Sequence, residues 1–233
     1  MSIYPEEVGA ESCWPIEATR RMNQMYRRQR HIYDGTRRYY LLGRDRLISD
    51  LDAAPGSTVL EIGCGTGRNL VRAATLYPDT RFFGIDVSTE MLTSAISAIS
   101  RHGLSRRILV AHGDATMFDP QFLLGTDSFD RVIISYSLSM IPDWRRVLEV
   151  AINLLTPGGR LHIVDFGNQE RLPDFARALL LRWLAVFEVT PRADLEEVLT
   201  LMANAAHSAI RFERPFRGYV QYAVLTSPKP NNA

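Results

Sequence analysis

The sequence predicts an α/β fold: a doubly wound, seven-stranded, mostly parallel sheet with an N-terminal helical extension and a helical insert before the last strands. Three observations carry this reading. Short apolar runs alternate with amphipathic stretches from residue 58 to residue 166, the pattern of right-handed βαβ crossovers. A glycine-rich turn joins the first run to the first amphipathic stretch. Beyond residue 166 two helical stretches follow one another, and the chain then turns β-rich.

Residues 15–50 read as helical and basic, with nine arginines between Arg20 and Arg46 against two acids, Asp34 and Asp45. Tyr26, Tyr33 and Tyr40 are seven apart and share one helix face, while Gly35 weakens the helix. Pro55-Gly56-Ser57 is a turn, 58–63 a buried strand and 69–77 a helix. Residues 81–86 form the second strand. Ser88 caps the next helix, whose apolar side is Met91, Leu92, Ala95, Ile96 and Ile99. The third strand is 107–112 and the fourth 129–135. A helix at 143–155 stops before Thr156-Pro157-Gly158-Gly159, and the fifth strand is 160–166. Helices are expected at 173–189 and 191–206, the second capped by Thr190 with Pro191 in its first turn. The last strands lie beyond Phe212, with 216–225 one β-rich run. The expected organisation is an extension at 1–50, one domain at 51–227 and a frayed tail at 228–233.

Composition narrows the function. A formal net charge of +1 excludes a bulk polyanion binder, though not a local basic patch. Two cysteines, Cys13 and Cys64, make neither a disulfide scaffold nor a four-ligand zinc site, so a reducing cytosol is the default compartment. No leader is visible at the start, and no apolar run is long enough to span a bilayer. Of the 27 basic residues only Lys229 is lysine. Coding bias explains such a total, and only position would give the arginines a function.

The strongest local signal is Val59-Leu60-Glu61-Ile62-Gly63-Cys64-Gly65-Thr66-Gly67. A buried strand running into three glycines lets the backbone approach a ligand closely. Asp86 ends the next strand, where a carboxylate accepts both hydroxyls of a ribose. The glycine spacing is not the Gly-x-Gly-x-x-Gly of dinucleotide sites. Glu61 opposes a pyrophosphate and favours a cation. A ligand with ribose, no phosphate and a positive charge fits: S-adenosylmethionine.

This stretch resembles the class I S-adenosylmethionine-dependent methyltransferases, whose fold is Rossmann-like, over about 58–167. Gly113-Asp114-Ala115, the strand FDRVIIS at 129–135 and the LTPGGRL turn at 155–161 complete the likeness. It implies cofactor contacts from Glu61, Gly63, Cys64, Gly65, Gly67, Asp86, Val87, Met91, Asp114, Ala115 and Ser135, with Asp114 reaching the adenine amino group. Met91 reads equally well as helix core, and Cys64 as a small turn residue rather than a nucleophile.

No acid–base constellation or metal spacing appears among His31, His102, His112, His162 and His207. An amine acceptor can lose its proton to water, so a dedicated base is optional. Tyr136 and Ser137, after the fourth strand, lie where an acceptor must sit, and an electron-rich ring there can hold a methylated ammonium. The extension would cover the cofactor opening, making Tyr33, Tyr39 and Tyr40 cage walls or, equally, packing residues. Its arginines read as a solvated face, as a surface attracted to anionic headgroups, or, against the neutral net charge, as a nucleic-acid grip.

A closer resemblance bears on these alternatives. The string YRRQRHIYDGTRRYYLLGRDR at 26–46 resembles the N-terminus of the bacterial betaine-lipid N-methyltransferases. So do Gly67-Arg68-Asn69, SYSLSMIPDW at 135–144, VDFG at 164–167 and VTPRADL at 189–195. The likeness implies threefold methylation of the amine of diacylglyceryl-homoserine, beside a partner enzyme that builds the homoserine headgroup. It implies a cytoplasmic enzyme, peripheral at the inner face of the membrane, that takes a lipid substrate and no nucleic acid. Tyr33 and Tyr136 would be catalytic, and Arg30, Arg38, Tyr39, Tyr40, Ser137 and Arg192 would bind substrate, an arginine facing its carboxylate. The oily 175–189 helix reads as packing, as a contact in a homo-oligomer, or as cover for acyl chains. Phosphatidylethanolamine or a small amine, a non-catalytic cofactor-binding role and an RNA substrate remain alternatives.

Overall fold

A computed structural model of the chain describes residues 41–187 and 189–229. Residues 1–40 of the extension expected at 1–50 lie outside them, with Tyr33, Tyr39, Tyr40, Arg30 and Arg38, as do Glu188 and the last residues of the tail.

A short helix α1 (Arg44–Ser49) leads into β1 (Thr58–Ile62), α2 (Arg68–Leu76), β2 (Arg81–Asp86), α3 (Thr89–Arg101) and β3 (Ile108–His112). Then come α4 (Pro120–Leu124), β4 (Phe129–Ser135), α5 (Trp144–Asn153) and β5 (Leu155–Phe166). Helices α6 (Asp174–Val186) and α7 (Leu195–Ala205) precede the closing strands β6 (Ala209–Glu213) and β7 (Val220–Thr226). The sheet has the expected seven strands, in the order β3-β2-β1-β4-β5-β7-β6. The first five are parallel, and β7 lies antiparallel to both β5 and β6.

The central strands are oily throughout because both faces are covered. Alternate residues feed two layers. Val59, Phe82, Ile133 and Val164 meet α1, α2 and α3. Leu60, Phe83, Ile134 and Ile163 meet α5 and α7. Strand order reverses beside β1, between β2 and β4, so the carboxyl ends of these strands open the crevice in which open α/β sheets bind ligands. Among the described residues no helix is long and apolar enough to cross a membrane.

Ser88 caps α3 as expected, accepting from Met91 N at 3.3 Å. Thr190 caps nothing. Its amide donates to Ser139 O at 2.9 Å, which ties the segment before α7 to the loop after β4 and delays the helix to Leu195. The run expected as one strand from 216 starts only at Val220, because Phe216-Arg217-Gly218 form a 3-10 turn with φ of 54°, 58° and 79°.

Candidate active site

Beyond β1 the chain folds over the end of β2, with the amides of Gly63 and Cys64 both donating to Ile85 O, at 2.9 and 3.0 Å. Gly63, Gly65 and Gly67 all have φ in the left-handed region, at 73°, 54° and 71°. Their reasons differ. A Cβ on Gly63 would lie 2.7 Å from Ser137 Cβ, so this glycine lets the β4 loop close in. One on Gly67 would lie 3.1 Å from Ala95 Cβ, so this glycine docks α2 on α3. One on Gly65 would meet nothing within 4 Å among the described residues, so among these Gly65 presents bare backbone to open space.

Asp86 braces the turn. Its Oδ2 accepts from Gly65 N at 2.7 Å and its Oδ1 from Ser88 N at 2.9 Å. Asp114 is organised alike: its Oδ1 takes Thr116 N at 2.8 Å and Thr116 Oγ1 at 2.7 Å.

Glu61 lies beneath the turn, 1% exposed. Asn69 Nδ2 donates to its Oε1 at 2.7 Å, while its Oε2 is buried without a partner. Burial pushes the carboxyl up to about 8, despite the Asn69 bond and nearby Arg44, which pull the other way. A buried acceptor with a free oxygen is what a cationic ligand would satisfy. By strand alternation Ser135 shares the Glu61 face of the sheet, and its Oγ is also buried without a partner. Cys64 is no nucleophile: burial, Asp86 and Glu61 hold its thiol well above the ordinary range. Met91 is buried at the start of α3, and Val87 and Ala115 are half-buried.

The side chains expected to face an acceptor make bonds within the chain. Tyr136 does follow β4, with a strained φ of 56°, but its hydroxyl donates to Leu42 O at 2.6 Å. Its ring lies edge-on to Phe166 at 4.6 Å, and burial keeps the phenol protonated. A phenol so held cannot be a base; it ties the incoming chain to the sheet. Ser137 Oγ donates to Ile62 O at 3.2 Å, bonding the loop to β1.

Arg192, expected to face a substrate carboxylate, instead donates to carbonyls. Its Nε reaches Leu138 O at 3.0 Å and its Nη2 reaches Ile141 O at 2.8 Å. On the same loop Asp165 Oδ2 accepts Ser139 N at 3.1 Å. Gln221 Nε2 completes the arrangement, donating to Arg192 O at 2.9 Å and Phe166 O at 3.0 Å. The loop after β4 is thus gripped by an arginine on its carbonyls and a buried acid on its amides. Sequence reasoning did not single out Asp165 and Gln221, which hold this part of the chain, or Asn69, which holds Glu61. A glutamine inside the oily run YVQYAVL and an acid between Val164 and Phe166 were the available signals. Among the described residues no cluster of His, Cys, Asp or Glu could hold a metal ion.

A glycine turn at the sheet's reversal point, with a buried acid below, an acid ending β2 and another just beyond β3, defines a class I S-adenosylmethionine-dependent methyltransferase domain. The chain belongs to the methyltransferase domain family, which it matches over residues 53–205. Relatives include O-methyltransferase cnsE of Penicillium expansum, 30% identical over 170 residues, covering 71% of this chain and 59% of that protein. A demethylmenaquinone methyltransferase of Listeria monocytogenes is 31% identical over 119 residues, covering 51% of this chain and 48% of that one. The chain therefore spans about half the length of these curated relatives. Among solved structures, the S-adenosylmethionine-dependent methyltransferase SibL shares the fold with a TM-score of 0.67 at 20% identity, over 85% of this chain and 58% of that one. The family's methyl donor fits the residues present: open backbone at Gly65, the free oxygen of Glu61 for a cation, and Asp86 at the end of β2 for hydroxyls.

Proposed function

We propose that the protein methylates the amine of a membrane-lipid headgroup, converting diacylglyceryl-homoserine stepwise into its trimethylated betaine lipid. Bound S-adenosylmethionine supplies a methyl carbon activated by its sulfonium. In this reading Glu61 takes the donor's ammonium, Asp86 the ribose hydroxyls and Asp114 the adenine amino group. Gly63, Gly65 and Gly67 let the backbone close around them. Before each transfer the ammonium gives its proton to solvent, and the free amine then takes the methyl in line as the carbon–sulfur bond breaks, so the protein's task is to align acceptor and methyl. Tyr136 then acts as a wall held by Leu42, and the 1–50 extension with Arg30, Arg38, Tyr33, Tyr39 and Tyr40 covers the acceptor. The enzyme would work at the inner face of the membrane, taking its substrate from the enzyme that builds the headgroup.

The observation that supports this reading most is the arginine- and tyrosine-rich string at 26–46, which resembles the betaine-lipid N-methyltransferases. A second reading, methylation of a hydroxyl or a quinone ring, is favoured by the curated relatives, an O-methyltransferase and a demethylmenaquinone methyltransferase. Co-expression in a host that lacks betaine lipids, with a source of diacylglyceryl-homoserine, tests the choice. Mono-, di- and trimethylated lipid by mass spectrometry is the expected result. Unchanged precursor from folded protein that binds S-adenosylmethionine would transfer the assignment to the second reading.

A further inference from the structure

Helix α6 is built the wrong way round for a helix that packs on a sheet. Leu184 is its one buried residue, and Leu180 packs partly on the core. Phe175 is 79% exposed, Leu179 70%, Val186 68% and Trp183 37%. At 100° per residue these four fall within an arc of about 80°, a continuous apolar stripe facing outward. Exposed stripes of this kind mark interaction surfaces.

The surroundings of the stripe identify the partner. Arg182 falls at its edge on the helix wheel, and the segment leading into α6 runs beside the 216–218 turn, with Arg171 N donating to Arg217 O at 3.3 Å. That turn adds an exposed aromatic, Phe216, 53% exposed. Arg171, Arg177, Arg182 and Arg217 are all exposed, whereas among the described residues the acids of this region are Asp174 and Glu170, the latter paired with Arg214 at 3.5 Å. Aliphatic and aromatic groups on one face, a tryptophan among them, with arginines at the margin are the signature of a helix lying in an anionic membrane interface. The helix also follows the carboxyl end of β5, at the same end of the sheet as the glycine turn.

We infer that α6, with the 216–218 turn, is a membrane-docking surface whose apolar stripe enters the headgroup boundary of an anionic bilayer. The inference goes beyond the acceptor assignment, because it rests on the exposed face and not on which group is methylated. Its test uses the full chain without donor or acceptor, so it can fail while the acceptor reading stands, and the reverse.

The experiment is flotation with phosphatidylcholine vesicles with and without phosphatidylglycerol, together with quenching of Trp183 by brominated acyl chains. The full chain should bind the anionic vesicles and be quenched, and Trp183→Phe should remove that quenching. Leu179→Glu, a change at an exposed position, should weaken vesicle affinity about tenfold or more. Arg182→Gln with Arg217→Gln should flatten the salt dependence. Vesicle binding with Trp183 unquenched would overturn the inference, placing the contact elsewhere on the chain. Unchanged vesicle affinity in Leu179→Glu would also overturn it, and if that variant converted a dimer to a monomer by light scattering, the stripe's partner would be a second copy.

Discussion

Glu61 is a neutral acid buried beneath the glycine turn. Its folded-state pKa is raised, so its contribution to stability is full below about 4.5 and is lost as pH rises through about 8. Glu61→Gln should therefore gain thermal stability relative to the natural protein as pH rises across that window, at up to about 1.4 kcal/mol per pH unit. The same change should weaken S-adenosylmethionine binding, because an amide cannot ionise against an ammonium. Calorimetry in two buffers of different ionisation enthalpy checks the coupling: proton release on cofactor binding at pH 7 should vanish in the variant. Asp86→Ala should cost about 1–3 kcal/mol of cofactor affinity, part of it through the lost brace on Gly65. Unchanged affinity would remove Asp86 from the site. At this scale the placement of Glu61 within β1 and of Asp86 at the end of β2 was legible in the sequence. Hydroxyls and guanidinium groups were not: nothing in the string around Tyr136, Ser137 or Arg192 says that each finds a backbone carbonyl before it finds a ligand.

Among the elements, the loop between β4 and α5 has the most consequence. In the proposed reading it borders the acceptor, and its shape is fixed by Arg192 on one side and Asp165 on the other. Arg192→Met keeps the stem and removes the donors to Leu138 and Ile141. The expected result is a raised KM for acceptor and a lowered kcat, cofactor affinity within about twofold, and a stability loss of about 1–3 kcal/mol. Arg192→Lys should recover stability in part but not the acceptor KM, since a point charge cannot serve carbonyls set apart along a loop. Equal losses for cofactor and acceptor would mean that the loop holds up the whole site. Tyr136→Phe, by contrast, should leave turnover within a few-fold, because the wall remains and only the Leu42 bond goes. A loss of about 100-fold or more would restore the phenol to the chemistry. The alternation that gave β1 to β5 was legible because buried parallel strands are uniformly apolar. The late start of α7 was not, since Thr190-Pro191 is a sound helix opening that tertiary bonds overrule.

Across the whole molecule, the sheet is a two-faced wall, and His162 sits within it. Both ring nitrogens are buried without partners, and burial, with Arg131 and Arg160, pushes its pKa down to about 3. The stability tied to its neutrality is full above about 6.5 and is lost as pH falls toward 3. This is the reverse of Glu61, and the two windows overlap. Between about 4.5 and 6.5 the gain from one cancels the loss from the other, so together they leave a stability plateau that slopes down on both sides. Since β5 pairs with β4 and β7 on either side of His162, protonation there opposes the whole fold rather than a local turn. His162→Leu should match the natural protein near pH 7.5 and gain on it as pH falls below 6.5, with a slope of up to about 1.4 kcal/mol per pH unit. Denaturant melts from pH 4.5 to 8.5 on both proteins measure it, and the difference between the two curves cancels every other titrating group. A difference independent of pH would mean that water reaches the ring and that the two core layers are not sealed at the middle of the sheet.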